Sequence, residues 1–149
     1  MTDRPSGDPS GSLESLGWSH FFADQLEADE ATLSPSRIDA VHRSRLTALT
    51  GVDQVDIVLP PHSDTADYAV GDWVLADPVT RLLHRRLNRK ALLQRRGEGK
   101  RPTQLVAANI DTLFIVASCN ADFNLARLER YLALANDAGT DPVIVLTKA

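Results

Sequence analysis

The densest chemistry in the sequence is a group of four cations, Arg85, Arg86, Arg89 and Lys90. They sit in a basic stretch, residues 81–101, where nine Lys or Arg stand against one acid, Glu98. Charge at this density attracts phosphate over about one Debye length, so a net charge of -4 on the whole chain does not cancel it. Residues 1–30 are the opposite, with seven acids against Arg4. In a strand, residues two apart share a face, which puts Arg81 and Arg85 on one side and His84 and Arg86 on the other. Tyr68 and Trp73 are candidate rings for stacking an unpaired base, although core is the ordinary place for a Trp in an apolar run.

The second candidate is Thr147-Lys148, which follows the apolar run Val143-Ile-Val-Leu146. Open α/β sheets bind ligands at the carboxyl ends of their strands. Asn or Thr, then Lys, any residue and Asp is an arrangement that reads guanine. The Asp accepts hydrogen bonds from N1–H and the exocyclic amine, and the Lys stem lies along the base. Thr147, Lys148 and Ala149 would be its first three positions, with the Asp as the next residue. Taken alone, a Thr-Lys pair is a weak signal and reads as an exposed polar strand end. Gly97-Glu-Gly99-Lys100 imitates a phosphate loop, but Gln94 stands where the first Gly belongs and Arg101 where the Ser or Thr belongs. His20, His42, His62 and His84 lack metal-ligand spacing. Cys119 is the one cysteine, which excludes an internal disulfide; a buried, inert position is expected for it. Nothing supports a hydrolase triad.

These candidates need elements to position them. Residues 1–12, rich in Ser, Gly, Pro and Asp, read as a disordered leader. Residues 13–36 read as a helical segment, with Ser19 as N-cap and Phe22 and Leu26 on its apolar face. From residue 37 to 101 short β-type runs follow one another: 38–49, 55–59, 71–76, 79–87 and 91–93. Their number and spacing suit a small barrel of the OB type. Residues 102–149 differ. Ile110 to Ala117 and Val143 to Leu146 read as strands buried on both faces. Between them Leu125, Leu128, Leu132 and Ala135 keep helical spacing, with Asp122 or Asn124 as N-cap and Gly139 as C-cap. Strand, helix and strand make one βαβ unit with parallel strands. No apolar run is long enough to span a bilayer, and no signal peptide leads the chain.

Three stretches together resemble the small-ribosomal-subunit-dependent GTPases, the RsgA or YjeQ family. They are Leu16-Gly17-Trp18-Ser-His-Phe21-Phe22-Ala-Asp-Gln25, then Ala69-Val70-Gly71-Asp72-Trp73-Val74, then the run from Gln104 through Ala107-Ala108-Asn109-Ile110-Asp111 and Asp122-Phe123-Asn124 to Tyr131-Leu132. The last leads into Pro142 to Lys148. The resemblance implies an N-terminal OB-fold followed by the first βαβ unit of a circularly permuted P-loop GTPase domain. In that permuted order the guanine motif precedes the P-loop, so Thr147 and Lys148 can appear without one before them. It further implies GTP and Mg²⁺ as ligands of the complete protein, zinc in a C-terminal region, and the small ribosomal subunit and its rRNA as partners. Action in the cytoplasm as a monomer is expected, without membrane or DNA. Arg85, Arg86, Arg89 and Lys90 carry the rRNA role as a region. The P-loop, switches and specificity Asp are absent from these 149 residues, so GTP turnover by this chain alone is not expected. The competing reading is a stand-alone OB-fold RNA-binding module. An unrelated α/β nucleotide-binding enzyme accounts for the βαβ unit but leaves the barrel and the basic stretch unexplained.

Overall fold

The structure is a computed structural model that describes residues 13–97, 99, 102–120 and 123–148. The expected leader, and Asp122 as a cap, lie outside these residues. Contacts divide the chain into two compact units, Met1–Asn88 and Arg89–Ala149. The first unit therefore ends well before residue 101, the expected end of the barrel, and the run 91–93 belongs to the second.

The first unit is built on five strands: β1 (Ser34–Val41), β2 (Leu46–Leu49), β3 (Gln54–Ile57), β4 (Trp73–Ala76) and β5 (Leu83–Arg86). They hydrogen-bond in the order β3-β2-β1-β4-β5, with every pair antiparallel. The amino half of β1 pairs with β4 and its carboxyl half with β2, with a register shift between Ile38 and Ala40. A bulge there bends the strand and lets it serve both neighbours. The two ends of the sheet meet at a parallel bridge between Val58 and Leu82, where Val58 N–H donates to Arg81 O at 2.9 Å and Leu83 N–H to Val58 O at 2.8 Å.

Alternation along the strands sorts the side chains into two cores. Ile38, Leu46, Ala48, Ile57, Val74, Ala76 and Leu83 fill one side of the sheet. Trp73, Leu75 and Leu87 face the other side, where Phe22 and the partly buried Leu13, Leu16, Trp18 and Leu33 cover them. All four residues of β4 are buried for this reason. The cover is the segment 13–33. It holds a helical turn at residues 13–15, the helix α1 (His20–Ala23) and a 3₁₀ turn (Ala28–Glu30). Ser19 stands at the N-cap of α1 without a side-chain hydrogen bond. At Gly17 (φ +90°) the chain passes so close to Arg37 that a Cβ would lie 2.9 Å from its Nη1. The Arg37 guanidinium donates to Leu16 O and lies 6.0 Å from the Trp73 ring centre.

The second unit holds an antiparallel hairpin, β6 (Leu92–Arg95) with β7 (Gln104–Ala108), and a parallel pair, β8 (Thr112–Ser118) with β9 (Asp141–Thr147). The helix α2 (Leu125–Ala138) connects β8 to β9 and packs on β6, β8 and β9. Its ends follow the expected signals. The Asn124 side chain accepts from Arg127 N–H at 3.0 Å, and Gly139 ends the helix in the left-handed region (φ 73°). The expectation that both strands are buried on both faces is corrected. In β8 only Ile115 is buried, Phe114 and Val116 are more than 60% exposed, and no residue of β9 is buried. Apolar sequence prepared these strands for cover, but among the described residues one helix packs on them. Among the described residues no helix is long and apolar enough to cross a membrane.

Candidate nucleic-acid and nucleotide interface

Arg85 is held by the covering segment. Its Nε donates to Glu30 Oε1 at 2.5 Å, and its Nη2 donates to Glu30 Oε2 and to Gln25 O, both at 2.7 Å. Glu30 is buried and also accepts from Glu27 N–H at 2.9 Å. Gln25 completes the link: its Oε1 accepts from Asn88 N–H at 2.6 Å. Forked guanidinium–carboxylate pairing of this kind fixes geometry as well as charge. Arg85 is thus a clamp between β5 and the segment 13–33, and part of its donor set is already engaged.

The expected sharing of a face by Arg81 and Arg85 is corrected as well. Residues 77–80 form a turn, not a strand; the Asp77 carboxylate accepts from Val79 and Thr80 N–H at 2.8 and 2.7 Å. Those backbone bonds hold the Asp77 carboxyl below its ordinary value, the Thr80 bond foremost. Arg81 lies in the left-handed region (φ 62°). Within β5 the register shifts, with Leu83 opposite Ala76 and Arg85 opposite Leu75. His84 is the extra residue. It turns Leu83 to the inner core and Arg85 to the outer face, although the two are two apart.

Arg86 is half-buried on β5 and acts on the Tyr68 hydroxyl, whose proton is nevertheless held more tightly than usual, chiefly through burial. Arg89 and Lys90 belong to the second unit. Lys90 Nζ pairs with Asp111 at 3.0 Å, both side chains well exposed, and Lys90 N–H donates to the Asn109 side chain at 2.7 Å. Arg95 and Arg96 are exposed where β6 runs into its loop. The false phosphate loop, Gly97 to Lys100, falls between β6 and β7, with Glu98 and Lys100 outside the described residues. Trp73 is 1% exposed beneath the segment 13–33, and Tyr68 packs against the inner core. The Trp73 ring presents no open face, and Tyr68 is half-buried. Sequence reasoning passed over the exposed turn His42-Arg43-Ser44-Arg45 between β1 and β2. Two arginines in a four-residue turn were the available signal.

Thr147 ends β9, and its Oγ1 lies 3.4 Å from Ala117 O at the matching end of β8. Lys148 follows in the left-handed region (φ 56°) and is exposed. Non-glycine residues in that region carry strain and gather at ligand sites. Cys119, expected to be buried, is exposed at the same strand ends; its N–H donates to Thr147 O at 2.9 Å.

The Glu30 clamp makes a pH-dependent contribution to stability. Hydrogen bonds from the Arg85 guanidinium and then from Glu27 N–H lower the Glu30 carboxyl from 4.5 to about 2. A group lowered on folding stabilises the fold above its unfolded value, and that stability is lost as pH falls from about 4.5 toward 2. Glu30→Gln therefore lowers the urea midpoint at neutral pH, and the gap to the unaltered chain narrows below pH 4.5. A gap independent of pH down to 2.5 would remove the charge of Glu30 from the account.

Residues 86–149, which contain β6–β9, α2 and Thr147-Lys148, match the family description "RsgA GTPase". The chain is 64% identical over 140 residues to the small ribosomal subunit biogenesis GTPase RsgA of Mesorhizobium japonicum, an alignment covering 94% of this chain and 40% of that relative. The chain belongs to the RsgA GTPase family. A second RsgA relative, small ribosomal subunit biogenesis GTPase RsgA 2 of Vibrio parahaemolyticus, is 43% identical over 142 residues, covering 94% of this chain and 39% of its own length. Of solved structures, YjeQ from Thermotoga maritima superposes with a TM-score of 0.58 at 19% identity, over 78% of this chain and 41% of that one. YloQ, described as a circularly permuted GTPase, gives 0.54 at 18%, over 81% and 42%. At such identities the likeness concerns fold alone. The chain spans about 40% of the length of the RsgA relatives it matches.

Proposed function

We propose that the protein to which this chain belongs is a ribosome-assembly GTPase. It binds the small ribosomal subunit and its rRNA in the cytoplasm as a monomer, and it hydrolyses GTP during late subunit maturation. The reading rests above all on Thr147-Lys148, which stand at the carboxyl end of a parallel strand inside the matched residues. Thr147 and the strained Lys148 are the first two positions of a guanine site, with the Lys stem along the base. These two residues fit a nucleotide base. Mg²⁺ would neutralise phosphate charge beside a P-loop, and the described residues offer no such loop. Among the described residues there is no cluster of three or more His, Cys, Asp or Glu that could hold zinc.

The first unit is an OB-type barrel in this reading. Support comes from the strand order β3-β2-β1-β4-β5 and from the Val58–Leu82 bridge that joins its ends. The second unit opens the circularly permuted P-loop domain. rRNA is contacted by Arg86 on the barrel and by Arg89, Lys90, Arg95 and Arg96 on the second unit. Arg85 serves as the clamp that directs β5.

The test uses the complete gene product. It should hydrolyse GTP in preference to ATP, faster with the small subunit present, and Lys148→Ala should weaken guanine-nucleotide binding by about tenfold, the loss of one good contact. The 149-residue chain should show no turnover. GTP hydrolysis by that short chain, or equal use of ATP by the complete protein, would defeat the proposal.

A further inference from the structure

Resting on the guanine-site reading above, we infer that Ser118 and Asn120 are positioning residues for that site, acting on Lys148 through the Cys119 backbone. β8 and β9 run parallel with Ser118 opposite Thr147, and one further hydrogen bond follows that pair, from Cys119 N–H to Thr147 O at 2.9 Å. The Thr147 carbonyl belongs to the peptide plane that leads into Lys148, so this bond fixes that plane. The next rotation along the chain is the Lys148 φ of 56°, which turns the backbone out of the extended course of β9. A tilt of the plane is carried into Lys148 and into the motif positions after it. A left-handed residue other than glycine costs free energy and persists where its surroundings hold it. Here the surroundings are the end of β8.

The neighbours of Cys119 hold its amide in place. Ser118 Oγ donates to Asn120 Oδ1 at 2.7 Å, a bridge that spans Cys119. Asn120 O accepts from Phe123 N–H at 3.0 Å, and the Asn124 side chain caps α2 by accepting from Arg127 N–H at 3.0 Å. Asn120 therefore ties the strand end to the entrance of α2 and keeps the Cys119 amide at the Thr147 carbonyl. Thr147 Oγ1 adds a longer contact, 3.4 Å to Ala117 O. Ser118 is half-buried and Asn120 exposed, so the bridge belongs to no packed core. Polar substitutions at such positions ordinarily change stability little. What the bridge governs is the direction of one backbone amide beside a strained residue of the candidate site.

The test uses the complete gene product, with affinity read by a fluorescent GDP analogue and with KM and kcat measured for GTP. Ser118→Ala or Asn120→Ala should weaken GDP binding and raise KM by about fivefold, the worth of one ordinary hydrogen bond. At saturating GTP, kcat should be unchanged, as for a contact equally present before and during reaction. The two changes together should cost no more than either alone, because both break one bridge. Ser118→Thr keeps the hydroxyl and should restore affinity. Cys119→Ala keeps the backbone N–H and should bind as the unaltered protein does. Inhibition by inorganic triphosphate, which carries no base, should be the same in every variant, and so should the urea midpoint. Unchanged GDP affinity in both alanine variants, additive losses in the pair, or an equal loss of triphosphate inhibition overturns the inference. The guanine-site reading survives those outcomes if Lys148→Ala still weakens GDP binding. Absence of GDP binding by the unaltered protein overturns that reading and this inference with it.

Discussion

Trp73→Ala should lower the stability of the first unit by about 3–5 kcal/mol, the range for deleting a large ring from a packed core. The ring lies between the sheet and its cover. Its centre is 4.8 Å from that of Trp18 and 5.8 Å from that of Phe22, and Leu75 and Leu87 pack beside it. Edge-on and tilted aromatic contacts add to the area buried. The substitution leaves a cavity whose walls belong to different parts of the chain, so they cannot close over it without moving the segment 13–33. It also removes the ring near the Arg37 guanidinium. Segment and sheet should loosen together, and new protease cleavage within residues 13–33 should accompany the lowered urea midpoint. Trp73→Phe should cost less. It keeps an aromatic ring, and the Trp73 Nε1 has no hydrogen-bond partner to lose. A loss below 1 kcal/mol for the alanine variant would mean that the segment does not depend on this contact.

The same contact shows how far the sequence can be read. Local signals were sufficient where the chain's own spacing decides structure. The four apolar positions of α2, its Asn124 cap and its Gly139 end come from residues within one helix length of each other. Other features depend on residues far apart in the chain. Trp73 sat in an apolar run and was assigned to core, but the sequence does not reveal which core. The two faces of β4 look alike until the segment 13–33 is laid over one of them. Arg85 counted as one of four neighbouring cations because its partner, Glu30, lies 55 residues away. The alternation in residues 79–87 failed because one inserted residue, His84, reverses every face beyond it. Burial of β8 and β9 was misjudged because a strand's apolarity records what it is suited to contact, not what is present beside it. Thr147 and Lys148 are candidates by type and spacing, and the left-handed backbone at Lys148 is not legible in either.

The charge on the second unit leads to the other large effect. Neutralising Arg89, Lys90, Arg95 and Arg96 together, each to Gln, should weaken RNA binding by about a hundredfold or more at 0.1 M salt and reduce the salt slope by about 3.6. Each phosphate contact releases counterions, and four contacts at about 0.9 per contact set that slope. The fold should survive. Arg95 and Arg96 are exposed, and the Lys90–Asp111 pair joins two well-exposed groups, a kind of pair worth about 0–1 kcal/mol. A control separates a defined interface from diffuse attraction. Arg127 and Arg130 lie exposed on α2 of the same unit, with Arg127 5.9 Å from the Tyr131 ring centre. Changing both to Gln should alter affinity little if RNA lies along the start of this unit and β6. If the α2 pair costs as much per charge as the other four, the attraction is that of net charge alone and no surface is singled out. If the slope stays constant in both variants, phosphate does not meet this unit, and the proposed RNA contact would have to lie on the first unit.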